Sequence, residues 1–281
     1  MHTAPRFLIL CNMDEIYEFY NNGAEIGRLE RGLGKVEFYR TKEILLNYIE
    51  GKKTIYDVGG GIGMYAAWLA KMGHAVHLVE LAENAVAYAK KNMMKDCRFE
   101  AEAGDARSLN LPDESADVVL LMGPLYHLCE REDRLSALRE ALRVLKKGGL
   151  LVAAGISKYS SATWALSVYG EKNDFVDDPV FFEMLRNEIL TGRHNRPREY
   201  PRLIAKSYFT TACDMRGEIS ESGFDVLKTH AVEGCAWLTP HLDEKWADET
   251  CRNNLMNLVR MTESDEEMMG ISPHFLVVAR K

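Results

Sequence analysis

The sequence predicts an α/β fold: a seven-stranded, mostly parallel, doubly wound sheet with an antiparallel edge hairpin and helical cap insertions. Three observations lead there. From about residue 53, strand-length apolar runs alternate with helix-length amphipathic segments. Glycines punctuate the ends of those segments. After a less regular middle stretch, helix and strand patterns return at the end of the chain. Strands alternating with helices imply right-handed βαβ units on a parallel sheet.

Each element has a local reason. Thr54–Val58 is a β-branched run that stops at glycines. Gly63–Met72 puts Tyr65, Ala66, Trp68 and Leu69 on one helical face and ends at Gly73. Ala75–Leu81 is a second strand, Glu83–Asn92 a helix, and Cys97–Ala103 a weaker third strand. Asp117–Met122 is apolar after its first residue, as a strand covered on both faces must be. Arg131–Leu145 carries Leu135, Leu138, Leu142 and Leu145 at steps of three and four. Gly148 and Gly149 end that helix before a fifth strand, Leu150–Ile156.

Two stretches depart from the alternation. Residues 12–50 read as helices, Met13–Asn21 and Val36–Glu50. Residues 157–206 are rich in aromatics, Asn, Pro and charge, with helices expected at Ser161–Tyr169 and Pro179–Leu190. Then come a helix at Thr211–Ser222, a strand at Phe224–Val232, a helix at Asp243–Thr262 and a last strand at His274–Arg280. The last two strands are expected to form the edge hairpin. The chain reads as one domain over 1–281: a helical cap (1–50), a core (51–156), a lid insertion (157–206) and a return to the sheet (207–281).

Composition excludes several classes. The 281 residues hold 35 Lys+Arg against 42 Asp+Glu, a formal charge of −7, which disfavours a nucleic-acid partner. No apolar run approaches the roughly 18 residues of a membrane helix. The run Phe7–Leu10 is too short for a signal-peptide core, so a cytoplasmic location is expected. Six cysteines (Cys11, Cys97, Cys129, Cys213, Cys235 and Cys251) contain no C-x-x-C, which argues against a disulfide framework and against zinc. No metal is expected.

Asp57-Val58-Gly59-Gly60-Gly61-Ile62-Gly63 lies between a strand and a helix. Glycines there let the backbone turn tightly and approach a ligand. The following helix presents free N–H groups to it. Gly61-x-Gly63-x-x-Ala66 fits the dinucleotide fingerprint. Asp57-x-Gly59-x-Gly61-x-Gly63 fits the first motif of class I S-adenosylmethionine methyltransferases equally well. Glu80 ends the second strand, where an acid suits a ribose diol in either case.

Later residues separate the two. Asp57 stands where the nucleotide reductases usually carry an apolar residue. Gly104-Asp105-Ala106 follows the third strand, and Arg143-Val144-Leu145-Lys146-Lys147-Gly148-Gly149-Leu150 precedes the fifth, with Lys147 replacing a usual proline. In this order and spacing the chain resembles class I methyltransferases of the type 11 small-molecule group, with a Rossmann-like fold. Gly123-Pro124-Leu125-Tyr126-His127-Leu128 resembles a bacterial subgroup of that type.

The resemblance implies S-adenosyl-L-methionine as cofactor and S-adenosyl-L-homocysteine as product. It implies in-line transfer of the sulfonium methyl to an O, N or S nucleophile of a small-molecule acceptor. The expected cofactor-binding residues are Asp57, Gly59, Gly60, Gly61, Gly63, Glu80, Leu81, Asp105, Ala106 and Met122, with Arg40 meeting the carboxylate. The expected catalytic residues are His127, Tyr126 and His274, the histidines being base candidates. Tyr17, Tyr20, Glu37 and Tyr39 belong to the same N-terminal cover as Arg40. Trp164, Tyr169, Phe175, Phe181 and Phe182 form a candidate lid, Arg193–Arg198 a candidate anion site, and Glu233–Trp237 another segment facing the pocket. A monomer or homodimer is expected. The alternatives are an RNA or protein methyltransferase, a non-catalytic cofactor-binding protein and, at fold level only, a hydride-transferring oxidoreductase.

Overall fold

β1 (Thr54–Val58) sits inside a seven-stranded sheet. β2 (Ala75–Glu80) and β3 (Glu100–Ala103) extend it on one side, and β4 (Ala116–Leu121) and β5 (Leu145–Ile156) on the other, all parallel. β9 (His274–Arg280) lies antiparallel between β5 and the edge strand β8 (Asp225–Ala231), giving the order β3-β2-β1-β4-β5-β9-β8. This computed structural model describes residues 15–167 and 175–281. The expected helix ends at Met13 and Tyr169, the lid's Tyr169, and Cys11 lie outside them.

Strand alternation divides the core. Tyr56, Val119, Leu121, Leu151 and Val277 face Leu135 and Leu138 of α5 (Arg131–Val144) and Met215 and Ile219 of α8 (Ala212–Glu221). Their neighbours Ile55, Val118, Leu120, Val152 and Val278 face the other way. There they meet Ile44 and Leu45 of α2 (Leu33–Leu46), Ala66 and Leu69 of α3 (Met64–Lys71), and Ala89 of α4 (Glu83–Asn92). A sheet covered on both faces leaves its strand ends as the place for a ligand.

Several boundaries differ from the sequence reading. The second helix starts at Leu33 and stops at Leu46 rather than running over 36–50. β5 begins at Leu145, directly after α5, so Gly148 and Gly149 lie within the strand, where its register against β4 shifts. The helix expected over 243–262 is two, α9 (Leu242–Ala247) and α10 (Glu249–Thr262). Asp248 is extended between them and its side chain caps Cys251 N–H. A two-residue ladder, β6 (Arg193–His194) with β7 (Ser207–Tyr208), appears where only a loop was expected. The edge pair does form, but long helical segments separate its strands in the chain.

The insertion builds a small core of its own. Phe181 of α7 (Pro179–Thr191) packs with Trp164, Phe175, Tyr200 and Leu203. These aromatics therefore face one another instead of the cleft, and Phe182 is exposed.

Candidate active site

The carboxyl ends of β1, β2 and β4 open into a cleft of about 1190 Å³, counting its open mouth. Its floor is the glycine loop. Gly59 and Gly61 adopt φ of +71° and +57°, which a side chain would strain. A Cβ on Gly59 would lie 2.5 Å from Pro124, and one on Gly123 would lie 2.5 Å from the Gly59 carbonyl. The loops after β1 and β4 thus interlock through two glycines. Gly63, left-handed at the start of α3, does not line the cleft; a Cβ there would crowd Phe99, Ala89 and Leu78.

Two acids close this end. Asp57 is fully buried beneath the loop, and neither carboxylate oxygen has a hydrogen-bond partner among the described residues. Burial, with Glu80 nearby, pushes it up to about 7. Glu80 accepts Gly61 N–H on Oε2 and Ala82 N–H on Oε1, each at 2.9 Å. Leu81, Asp105, Ala106 and Met122 line the same wall. Asp105 accepts Arg107 N–H at 2.9 Å and pairs with its guanidinium. Burial would raise Asp105, but Arg107 holds it below the usual carboxylate range.

At the other end stand two histidines in opposite settings. His127 is buried, and burial pushes it down to about 4. Its Nε2 lies 2.5 Å from Tyr20 Oη, on the helix α1 over residues 15–21. The rings of Tyr20 and Tyr126 each meet the imidazole edge-on. Tyr126 donates its hydroxyl to the Met122 carbonyl at 3.1 Å. That proton is committed to shaping the loop, and burial raises the phenol further. His274 places Nδ1 2.7 Å from Oε1 of the fully buried Glu233. Burial would lower His274, but Glu233 and Glu37 raise it to about 9.

A second expected residue, besides Gly63, is elsewhere. Arg40 is buried on α2, its guanidinium held by Glu43 and Glu263, and it does not line the cleft. The arginine in the cleft is Arg28. It donates Nε–H to Glu25 at 2.9 Å and grips Glu37 with both terminal nitrogens, at 2.5 and 3.0 Å. The sequence reading missed it; its only signals are the i,i+3 spacing from Glu25 and the turn glycines Gly27 and Gly32. Tyr17, Tyr20 and Glu37 line the cleft, whereas Tyr39 does not. Arg193 pairs with Glu130 and Arg196 with Glu15, so neither faces the cleft. Of the segment 233–237, Glu233 reaches the cleft through His274, and Trp237 donates to the Ile271 carbonyl in the core.

This geometry fits S-adenosylmethionine. The glycine floor admits a ligand where a Cβ would intrude, and the unpartnered buried carboxylate of Asp57 suits a cation. Comparisons agree. Residues 56–153 match a family described as a methyltransferase domain. The ubiquinone biosynthesis O-methyltransferase of Paramagnetospirillum magneticum is 31% identical over 165 residues, 54% of this chain and 64% of that protein. The ribosomal protein L11 methyltransferase of Clostridium botulinum is 33% identical over 113 residues, 40% of this chain and 34% of that protein. The chain thus spans less than two thirds of each of these relatives. A methyltransferase structure from Methanosarcina mazei superposes with a TM-score of 0.57, covering 85% of this chain and 96% of that one. At 19% identity that likeness concerns the fold alone.

Sheet order, glycine floor and strand-end acid are arranged as in the class I S-adenosylmethionine-dependent methyltransferase fold. Over residues 56–153 the chain is similar to the methyltransferase-domain family.

Proposed function

We propose that the chain methylates a small-molecule acceptor by in-line displacement. When bound, the cofactor supplies an activated sulfonium methyl. Asp57, Gly59, Gly60, Gly61, Glu80, Leu81, Asp105, Ala106 and Met122 hold it. The chain's other work is to align the acceptor, exclude water and handle a proton. His127 is unprotonated at neutral pH and so is the base-competent histidine. His274 is protonated there and serves as a cationic clamp on the acceptor. Tyr126 is the wall that positions His127.

The observation that carries this reading is the cover. α1 lines the cleft with Ile16, Tyr17 and Tyr20 and is tied by Asn84 N–H to Asn21 Oδ1 at 2.9 Å and by Arg196 to Glu15 at 2.8 Å. A cleft narrowed by a helix of its own chain favours a small acceptor over a folded macromolecule. The L11 relative supports a second reading, a protein acceptor, but its likeness lies in 40% of this chain. We also read the chain as one functional unit, cytoplasmic, acting as a monomer or homodimer without nucleic acid.

Calorimetry with S-adenosylhomocysteine and NAD tests the cofactor; NAD binding without S-adenosylhomocysteine binding refutes the proposal. Incubating a metabolite extract with labelled methyl donor then identifies the acceptor. Label appearing only in protein favours the second reading.

A further inference from the structure

We infer that Tyr20 is a catalytic residue of the methyl transfer proposed above: it takes the proton from a hydroxyl acceptor while passing its own to His127.

The hydrogen-bond pattern around His127 fixes the direction. Nδ1 lies 3.3 Å from the Lys206 carbonyl and 3.3 Å from Ser207 Oγ. The first can only accept. The second gives its own proton to the Ala205 carbonyl at 2.6 Å, so it too accepts here. Nδ1 must therefore carry the hydrogen. Nε2 is left with a lone pair, and its partner at 2.5 Å is the Tyr20 hydroxyl, which must donate. No other hydrogen bond to Tyr20 Oη occurs among the described residues. Tyr20 and His127 both line the cleft. Nε2 is already engaged, so an acceptor reaches His127 through Tyr20.

The step balances. The acceptor oxygen's lone pair forms the new C–O bond, and the C–S bond breaks with its electron pair going to sulfur. The acceptor's proton moves to Tyr20 Oη, and Tyr20's proton moves to His127 Nε2. The imidazolium, its Nδ1–H held by Lys206 and Ser207, later releases the proton to solvent. The charges facing Tyr20 are Glu25, Arg28 and Glu80, with Tyr126 beside it; His194 faces His127. Burial outweighs these and keeps the Tyr20 phenol neutral, a relay rather than a standing phenolate.

The weak basicity of His127 narrows the acceptor. An ammonium must lose its proton before it has a lone pair to attack with, which so weak a base does not achieve at neutral pH. A hydroxyl becomes strongly acidic as its oxygen bonds to carbon, so a weak base suffices at that moment. A thiol ionises unaided. With Nε2 of His127 engaged by the Tyr20 hydroxyl, the pair suits a hydroxyl acceptor.

The test has two arms, each run on the full chain and on Tyr20→Phe. In the first, 15N-histidine NMR at pH 7 is expected to show His127 as the neutral Nδ1–H tautomer. Tyr20→Phe should shift Nε2 strongly and Nδ1 little. An Nε2–H tautomer, or an Nε2 signal untouched by the substitution, overturns the relay. In the second, labelled S-adenosylmethionine is offered with phenols and thiols as probes. Tyr20→Phe should slow phenol methylation by about 10²–10⁴-fold and spare thiols. Its phenol rate should climb about tenfold per pH unit, because only ionised phenol reacts, while the unsubstituted chain stays flat from about pH 5 to 8. Identical pH profiles, or an unsubstituted chain that binds S-adenosylhomocysteine yet methylates no phenol, overturn the inference. Failure to bind S-adenosylhomocysteine overturns the underlying methyl-transfer reading instead.

Discussion

Glu233 carries both oxygens of one buried carboxylate to a single residue, His274: Oε1 takes the ring Nδ1–H at 2.7 Å, and Oε2 takes the backbone N–H at 3.0 Å. Ser272 locks that carboxylate from behind, its hydroxyl 3.2 Å from Oε2. The arrangement orients Nε2 of His274 and fixes its charge. A histidine raised to about 9 stabilises the fold fully below its unfolded value near 6.5, and that contribution is lost as pH rises through 9. Melting temperature should therefore decline between pH 6.5 and 9. Glu233→Gln should flatten that decline and cost about 3–5 kcal/mol at pH 6, because a buried pair loses one partner. Equal pH slopes for the two proteins in thermal melts would contradict the pairing.

Asp57 gives the opposite lesson, stability lost to keep a site. An acid held at about 7 instead of 3.8 favours the fold below pH 4, and the advantage is lost as pH rises to 7. Asp57→Asn should raise stability at pH 8 by on the order of 1–4 kcal/mol. It should also remove the negative charge a cationic ligand pairs with. For the unsubstituted chain, S-adenosylmethionine affinity should weaken below pH 7, up to about tenfold per unit, with proton release on binding. Calorimetry in buffers of different ionisation enthalpy measures that release directly.

Two glycines of the same loop should fail differently. A Cβ at Gly59 meets the rigid ring of Pro124, so Gly59→Ala should cost about 1–3 kcal/mol of stability by overpacking. At Gly61 the nearest atom is 3.2 Å away, on the flexible side chain of Glu25. Aspartate also tolerates a left-handed backbone better than most residues. Gly61→Asp should therefore keep the fold while abolishing S-adenosylhomocysteine binding, because it fills the floor and sets a second carboxylate beside Glu80. Circular dichroism melts paired with calorimetry separate the two outcomes.

Legibility in the sequence followed the range of the interactions. β1 and β9 match their expected limits because Gly59 follows the one and Pro273 precedes the other, and α4 matches through the helical spacing of Val86 and Ala89. The cleft wall from Asp57 to Met122 was readable because one strand-loop-helix motif after another carries it. The break at Asp248 was not, since an aspartate only reveals itself as a cap once its side chain turns back to Cys251. The insertion's aromatics were expected in the cleft, but composition cannot say whether rings will face a ligand or one another. Arg28 and Arg40 lie twelve positions apart in one cover segment, and only tertiary pairing decides which faces the cleft.

That pair supplies a direct test of the site's limits. Arg40 is 1% exposed; it pairs with Glu43 on its own helix and bridges α2 to Glu263 at the end of α10. Removing its charge breaks a buried ion pair, while Glu43 keeps Arg260 and Glu263 keeps His230 and Lys228, so Arg40→Ala should cost about 1–3 kcal/mol. It should leave S-adenosylhomocysteine affinity of the folded protein unchanged. Arg28 is partly open to the cleft and sits between Glu25 and Glu37, so its removal costs less in folding. It also frees two acids beside the cofactor floor and beside His274. Arg28→Ala should therefore weaken S-adenosylhomocysteine binding, and raise His274 further by leaving Glu37 unpaired next to it. Reversed effects, with Arg40→Ala weakening the ligand and Arg28→Ala weakening only the fold, would return Arg40 to the cofactor's carboxylate.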